Sequence, residues 1–266
     1  FQRYIQWVAE NADGYMAISK SVRDQSREVM ARYLTTDEIN DKWFDHFYLG
    51  SELDLAGKTP IRRHIKSIFS PQSSVYLMVS TIEPRKNHDY LIQAFEQIWE
   101  TNPNVTLCFI GRVGWKAERQ VERILSHEEL NKRFFMLNDV NDTELEFAYR
   151  NSKALVFSSI TEGFGLPLIE AMQRGLRAMA SDIPVFREVG GKFCAYFDLD
   201  ETSSLVKLIS EFESTNKFPA ELPIDEFKWM GWQEASLSFI EKIKMNVQAT
   251  ETEQTKRTGT TTGSNQ

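Results

Sequence analysis

The chain has 266 residues, of which 41% are hydrophobic and 26% charged, with a formal net charge of −7. Such a composition is globular, and the length suits one large domain or one domain with part of another. The acidic balance argues against a nucleic-acid partner, which a basic patch would serve. No apolar run approaches the roughly 18 to 20 residues that cross a bilayer.

Cys108 (TLCFI) and Cys194 (KFCAYF) lie among apolar residues, where a thiol behaves as a small hydrophobe. A reducing, cytoplasmic setting is the simplest expectation. His46, His64, His88 and His127 are scattered without ligand spacing, so no metal site is expected. The chain opens Phe1-Gln2-Arg3 with neither a Met nor a secretory signal, which reads as a processed product or a fragment.

Taken in chain order, 14–19 (GYMAIS) reads as a strand, followed by a helix through Met30 that Ser21 could cap. One strand and one helix make no core of their own, so 1–50 reads as the remnant of a preceding domain plus a linker. From about 75 the pattern changes. Apolar runs without polar alternation at 75–80 (VYLMVS), 105–110 (VTLCFI), 134–137, 154–159 (ALVFSS), 178–181 and 195–197 read as parallel strands buried on both faces. Helical stretches at 87–100, 116–129, 142–151, 167–174 and 201–212 separate them; Leu91, Ile92, Phe95 and Ile98 mark one face of the first. The alternation predicts an α/β domain, a Rossmann-like doubly wound parallel sheet over 51–245 that ends in an amphipathic helix (MGWQEASLSFIEKI). The tail 246–266 lacks large apolar residues beyond its first turn and is expected to be disordered.

Ligands of such sheets bind at the carboxyl ends of the strands. After the first strand of the domain, Arg85 and Lys86 stand directly before a helix that Asn87 or Asp89 could cap, where a phosphate would meet two cations and helix N–H groups. Two solvated surface cations are the plain alternative. After the fourth strand comes SSITEGFGLPLIEAM, with Glu162 and Glu170 around Gly163-Phe164-Gly165 and Pro167 near the first helical position. The glycine turn can present backbone N–H groups to an anion. The glutamates would repel that anion, so they are better read as acceptors for neutral hydroxyls beside it, as an acidic residue accepts from ribose in dinucleotide sites. For Glu170 the plain alternative is a first-turn acid favoured by the helix dipole; for Glu162 it is a loop acid in water. A third stretch, LNDVNDTELEFAYR, reads as a helix start capped by Asp142 or Thr143, whose loop backbone could face a planar base. No G-x-G-x-x-G follows the first strand, against an NAD-dependent oxidoreductase.

The succession E-P-R-K-N, V-N-D-x-E-L, E-G-F-G-L-P-L-I-E-A-M and S-D-I-P-V-F-R-E-V-G-G resembles glycosyltransferase family 4, retaining enzymes of the GT-B fold. The similarity runs from about residue 76 to 198. It implies the carboxyl-terminal, donor-binding half of such an enzyme, with only the last strand and helix of the amino-terminal acceptor domain in 1–50. On the matching positions, Arg85 and Lys86 would neutralise the diphosphate and Glu162 would hold the transferred sugar. Gly163, Phe164, Gly165 and Leu166 would give backbone contacts, Glu170 would bind ribose, Val140 the base, and Arg112 would lie beside base or ribose. Family members often carry an arginine at the end of the first strand, where Ser80-Thr81 stands here, so Arg85 is expected to substitute for it.

The implied reaction retains configuration without a metal or other cofactor, by front-face departure and attack. The donor is a GDP-sugar or UDP-sugar; GDP-mannose is expected, because E-P-R-K-N resembles mannosyltransferases of bacterial surface polysaccharide assembly, and UDP-glucose is the alternative. The implied partners are a glycan or lipid-linked oligosaccharide acceptor, the amino-terminal domain and, peripherally, the inner face of the cytoplasmic membrane. A nucleotide-sugar-binding module inactive on its own is the rival class of reading.

Overall fold

A computed structural model of the chain describes residues 2–52 and 59–260. It separates into two compact units: Phe1–Gly50 with Met230–Gln266, and Ser51–Trp229. The first unit begins with α1 (Gln2–Asn11), β1 (Gly14–Ala17), α2 (Lys20–Met30), α3 (Thr36–Asn40) and β2 (Trp43–His46). Ser19, rather than Ser21, caps α2 by accepting from the Val22 N–H at 3.1 Å. Thr35 and Glu38 form a capping box that starts α3. β1 and β2 pair in parallel, and Tyr15 stacks on Phe44 at 4.8 Å. Ala9, Met30 and Ile39 form a small buried cluster there. The segment therefore has a core of its own, contrary to the expectation from one strand and one helix. Its second strand is half-buried throughout, so it lacks the unbroken apolar run that marks the buried strands in the sequence.

The second unit continues with α4 (Arg63–Ile68), β3 (Ser74–Val79), α5 (His88–Thr101), β4 (Val105–Ile110), α6 (Glu118–Leu125), β5 (Phe134–Leu137), α7 (Asp142–Asn151), β6 (Ala154–Phe157), α8 (Leu166–Gln173), β7 (Ala178–Ser181), α9 (Pro184–Gly190), β8 (Cys194–Phe197) and α10 (Thr202–Thr215). All six strands are parallel, in the order β5-β4-β3-β6-β7-β8. The unbroken apolar runs of the sequence are the central strands: every residue of β4, β6 and β7 is buried. The apolar face of α5, Leu91, Ile92, Phe95 and Ile98, is fully buried.

The strand order reverses between β3 and β6. Their ladder comprises only Tyr76↔Ala154 and Leu77↔Leu155, whereas β3 and β4 pair from Ser74↔Val105 to Val79↔Ile110. The ladder ends at Leu77, and the carboxyl ends of two strands on either side of such a reversal are the usual ligand position in this kind of sheet.

The loop after β5 is pinned from the start of the unit. Arg62 donates from Nε and Nη2 to the Glu144 carboxylate at 2.7 and 2.6 Å and from Nη1 to Asp139 at 2.5 Å. Glu144 is fully buried and also completes a capping box with Asn141, which caps α7 in place of the expected Asp142 or Thr143. The Arg62 hydrogen bonds, which outweigh the cost of burial, hold the Glu144 carboxyl down to about 2.

The last helix, α11 (Trp232–Thr260), groups with the first unit, so the domain expected to close at 245 closes at Trp229. Lys242 and Asn246 bind the Asp45 carboxylate of β2 at 3.0 and 3.1 Å, and Phe239 meets Phe47 at 4.8 Å. The helix runs through Thr260, across most of the tail read as disordered; Ala, Glu, Gln and Lys there are strong helix formers that need no apolar face to continue a turn. Residues 53–58, near the start of the expected sheet domain, and the last six of the tail lie outside the described residues.

Candidate functional site

Two loops follow the carboxyl ends of β3 and β6. After β3 the chain passes Ser80 and Thr81, makes a short 3₁₀ turn over Pro84–Lys86, and enters α5 through Asn87 at φ 56°. Asn tolerates this left-handed conformation. It caps α5 by conformation, since neither it nor Asp89 makes the side-chain cap expected of them. After β6 the chain passes Ser158 and Ser159 and reaches α8 through Gly165 at φ 98°. A Cβ at Gly165 would stand 2.7 Å from the Phe186 ring, so glycine is required there on both counts. Pro167 falls in the first turn of α8, where its missing N–H is no loss.

Hydrogen bonds lock the loops together. The Ile160 N–H donates to the Arg85 carbonyl at 2.9 Å. The Ser158 hydroxyl reaches the Lys86 and Asn87 carbonyls, each at 3.0 Å, and Ser181 holds the Ser159 carbonyl at 2.6 Å. All three serines are fully buried. The sequence marked Ser158 and Ser159 only as the end of a strand; the small buried hydroxyl of Ser158 ties one loop to the other, and that of Ser159 holds Glu162 within its own loop.

This framework brings Arg85, Lys86 and Glu162 into contact. Lys86 Nζ forms a close ion pair with Glu162 Oε1, and Arg85 Nη1 donates to Glu162 Oε2 at 3.0 Å. Ser159 Oγ donates to Glu162 Oε1 at 2.7 Å. The Lys86 and Glu162 side chains are only 9% and 8% exposed, whereas Arg85 is 44% exposed. Lys86 Nζ also lies 5.3 Å from the Phe157 ring centroid. Arg85 Nε donates to Glu83 Oε2 at 3.0 Å, a partner that sequence reasoning did not single out. Glu83, Arg85, Lys86 and Glu162 together carry two charges of each sign, so the resting cluster is balanced.

Beneath it, His88 is fully buried, with Nε2 3.2 Å from the Ser80 hydroxyl and its ring edge-on to Phe109. Its Nδ1 has no hydrogen-bond partner. Burial first, and the nearby Lys86 charge second, push the imidazole down to about 3, so it is neutral at ordinary pH.

The other expected residues are spread along the same edge. Glu170 Oε2, on α8, accepts from the buried Tyr149 hydroxyl of α7 at 2.9 Å. The Phe164 side chain is buried against Trp229, with rings 5.9 Å apart, so only backbone remains for a ligand contact at that position. Gly163 and Leu166 are half-buried on either side of it. Val140 lies half-buried between Asp139, which Arg62 grips, and Asn141, which caps α7. Arg112 is exposed after β4, and its carbonyl accepts from the Ile82 N–H at 2.8 Å. Among the described residues, no group of three or more His, Cys, Asp or Glu side chains could hold a metal ion, and no helix is long and apolar enough to cross a membrane. Cys108 and Cys194 are both free and buried.

The family profile of glycosyl transferases group 1 matches residues 61–222. The serotype-specific mannosyltransferase WbdA of Escherichia coli is 30% identical over 240 residues, a stretch that covers 89% of this chain and 29% of the relative. The O-antigen chain mannosyltransferase RfbU of Salmonella typhimurium is 30% identical over 166 residues, 60% of this chain and 46% of the relative. The chain thus spans less than a third of the length of one relative and less than half of the other. Among solved structures, a sucrose-phosphate synthase of Thermosynechococcus elongatus superposes with a TM-score of 0.69 at 17% identity, over 94% of this chain and 63% of its own. WaaG, a glycosyltransferase involved in lipopolysaccharide biosynthesis, superposes with a TM-score of 0.57 at 16% identity, over 76% of this chain and 54% of its own. The fold is that of the GT-B glycosyltransferases, and the chain belongs to the glycosyl transferases group 1 family.

Proposed function

We propose that Ser51–Trp229 is the donor half of a retaining hexosyltransferase that takes a nucleoside-diphosphate sugar, with GDP-mannose the favoured donor. The observation that carries this reading is the convergence of Arg85, Lys86 and Glu162 where β3 and β6 part. A diphosphate entering the site meets Arg85 first, because that guanidinium is the more exposed of the two cations. It competes with Glu83 and Glu162 for both cations, and the carboxylate it displaces becomes an acceptor for the hydroxyls of the sugar. Glu170 accepts from ribose, while the loop at Val140 and the exposed Arg112 receive the base. Gly163, Phe164, Gly165 and Leu166 contribute backbone at the start of α8.

Transfer builds negative charge on the departing phosphate. Fixed cations and helix N–H dipoles stabilise that charge without reorganising at the moment of reaction. With the donor bound, Glu162 is committed to the sugar hydroxyls and still accepts from Ser159 Oγ, which favours departure and attack on one face over a covalent glycosyl-enzyme. Arg85 and Lys86 take the role a divalent ion would otherwise have, so transfer is expected to persist in excess chelator. The acceptor in this reading is a glycan or lipid-linked oligosaccharide of surface polysaccharide, in keeping with the mannosyltransferase names of the relatives.

A calorimetric panel of GDP, UDP, ADP and their sugar conjugates tests the reading. GDP-mannose is expected to bind most tightly. Preference for UDP-glucose would reassign the donor, and absence of binding by every compound would sink the donor site.

A further inference from the structure

Trp115 is 76% exposed, the highest value among the exposed large hydrophobic side chains of the described residues. It stands at the tip of the loop after β4, and that loop does not leave the sheet freely. Ile82 and Val113 form a parallel bridge beyond the strand ends, Ile82 N–H donates to the Arg112 carbonyl at 2.8 Å, and Gly114 N–H donates to the Ile82 carbonyl at 3.0 Å. A Cβ at Gly114 would stand 2.6 Å from Glu83 Cγ and from Thr81 Cγ2. The backbone next to Trp115 is therefore packed on Glu83, the carboxylate that holds Arg85.

The residue after it is strained. Lys116 sits at φ 55°, a conformation that residues other than Gly, Asn and Asp seldom adopt. This turn carries its ammonium to 4.3 Å from the indole centroid. The cation covers one face of a ring that is otherwise mostly in solvent. An indole carried on an anchored backbone, with one face covered, beside the Arg85–Lys86 cluster is suited to a flat aromatic group.

Strand order supplies the direction. Along the sheet edge, Glu162 follows β6, Arg85 and Lys86 follow β3, Trp115 follows β4 and Val140 follows β5. In the donor-site reading the base lies against Val140 after β5 and Arg112 after β4, so Trp115, on the same loop as Arg112, stands on the base side of the site.

We propose that Trp115 is a stacking platform for the nucleobase of the donor, with Lys116 bracing its other face. The inference rests on the donor-site reading and deepens it by adding a residue that recognises the base rather than the phosphates. The test is calorimetry of GDP and of inorganic diphosphate on the full chain and its W115A and W115F variants. Because the side chain is exposed, both variants are expected to unfold at the wild-type temperature. W115A should bind GDP about 10-fold more weakly, in the range of single base–aromatic stacks, with diphosphate affinity unchanged and W115F close to wild type. Wild-type GDP affinity in W115A would overturn the platform alone, leaving the donor site standing. Equal losses for GDP and diphosphate would overturn it too, by showing that Trp115 only shapes the Arg85 loop. Failure of the wild-type chain to bind either compound would remove both readings together.

Discussion

Lys86 and Glu162, 76 residues apart in the chain, form a close and nearly solvent-free ion pair at the point where β3 and β6 diverge. Two charges taken out of water are costly unless each keeps full partners. Here Arg85 and Ser159 supply the remaining donors to the carboxylate. The pair holds both loops in register and keeps the cations from repelling one another before an anion arrives.

Glu162→Ala separates the two roles of the carboxylate. Lys86 would be left buried with its charge unbalanced, and such a broken pair costs about 3–5 kcal/mol of stability. Free GDP should bind at least as tightly as in the wild type, because a competitor for the cations is gone. GDP-mannose should lose the bonds to its hydroxyls, about 1.5–3 kcal/mol each for a charged acceptor. Titration calorimetry of both compounds distinguishes these effects; equal losses would contradict a sugar-holding role.

Tyr149 donates to Glu170 Oε2 from a buried position, so replacing Glu170 alone confounds binding with packing. Tyr149→Phe removes the donated bond and keeps the carboxylate. Glu170→Ala is expected to weaken GDP by about 1.5–3 kcal/mol, while Tyr149→Phe lowers the melting temperature with GDP affinity retained. Loss of GDP affinity in Tyr149→Phe alone would mean that Glu170 is a packing residue.

Ser158→Ala removes the hydroxyl shared by the Lys86 and Asn87 carbonyls. Stability should fall by about 1–3 kcal/mol, the cost of unpaired buried groups. Diphosphate affinity should fall with it as the Arg85–Lys86 turn loosens, and Ser158→Thr should restore both if the larger side chain is accommodated. Unchanged diphosphate affinity in the alanine variant would confine Ser158 to packing.

His88 and Glu144 both contribute to the acid limb of stability. His88 is pushed from 6.5 to about 3 on folding, so between those values the unfolded chain binds a proton that the folded one refuses. Stability therefore falls as pH drops below about 6.5. Glu144 is lowered from 4.5 to about 2; its contribution is complete above 4.5 and is lost as pH falls toward 2. Urea titrations from pH 7 to 3 should show both phases. His88→Phe should flatten the upper phase; a slope unchanged in that variant would refute its origin.

The sequence by itself determined the sheet of Ser51–Trp229. Runs such as VTLCFI, apolar but for the single hydroxyl of Thr106, show no alternation that would leave one face in water, and a parallel strand covered on both sides buries them whole. The glycine turn was also legible, since Gly165 adopts a conformation other residues avoid. Whether Glu162 and Lys86 would meet was not legible, because strand order alone juxtaposes the ends of β3 and β6, and their separation in sequence carries no signal of it. The same holds for Arg62 on Glu144, across 82 residues, and for the last helix, whose grouping with the first unit depends on Asp45 and Phe47 rather than on its own periodicity. Local periodicity fixes which face of an element is buried; which partner buries it is decided only when the chain closes over long separations.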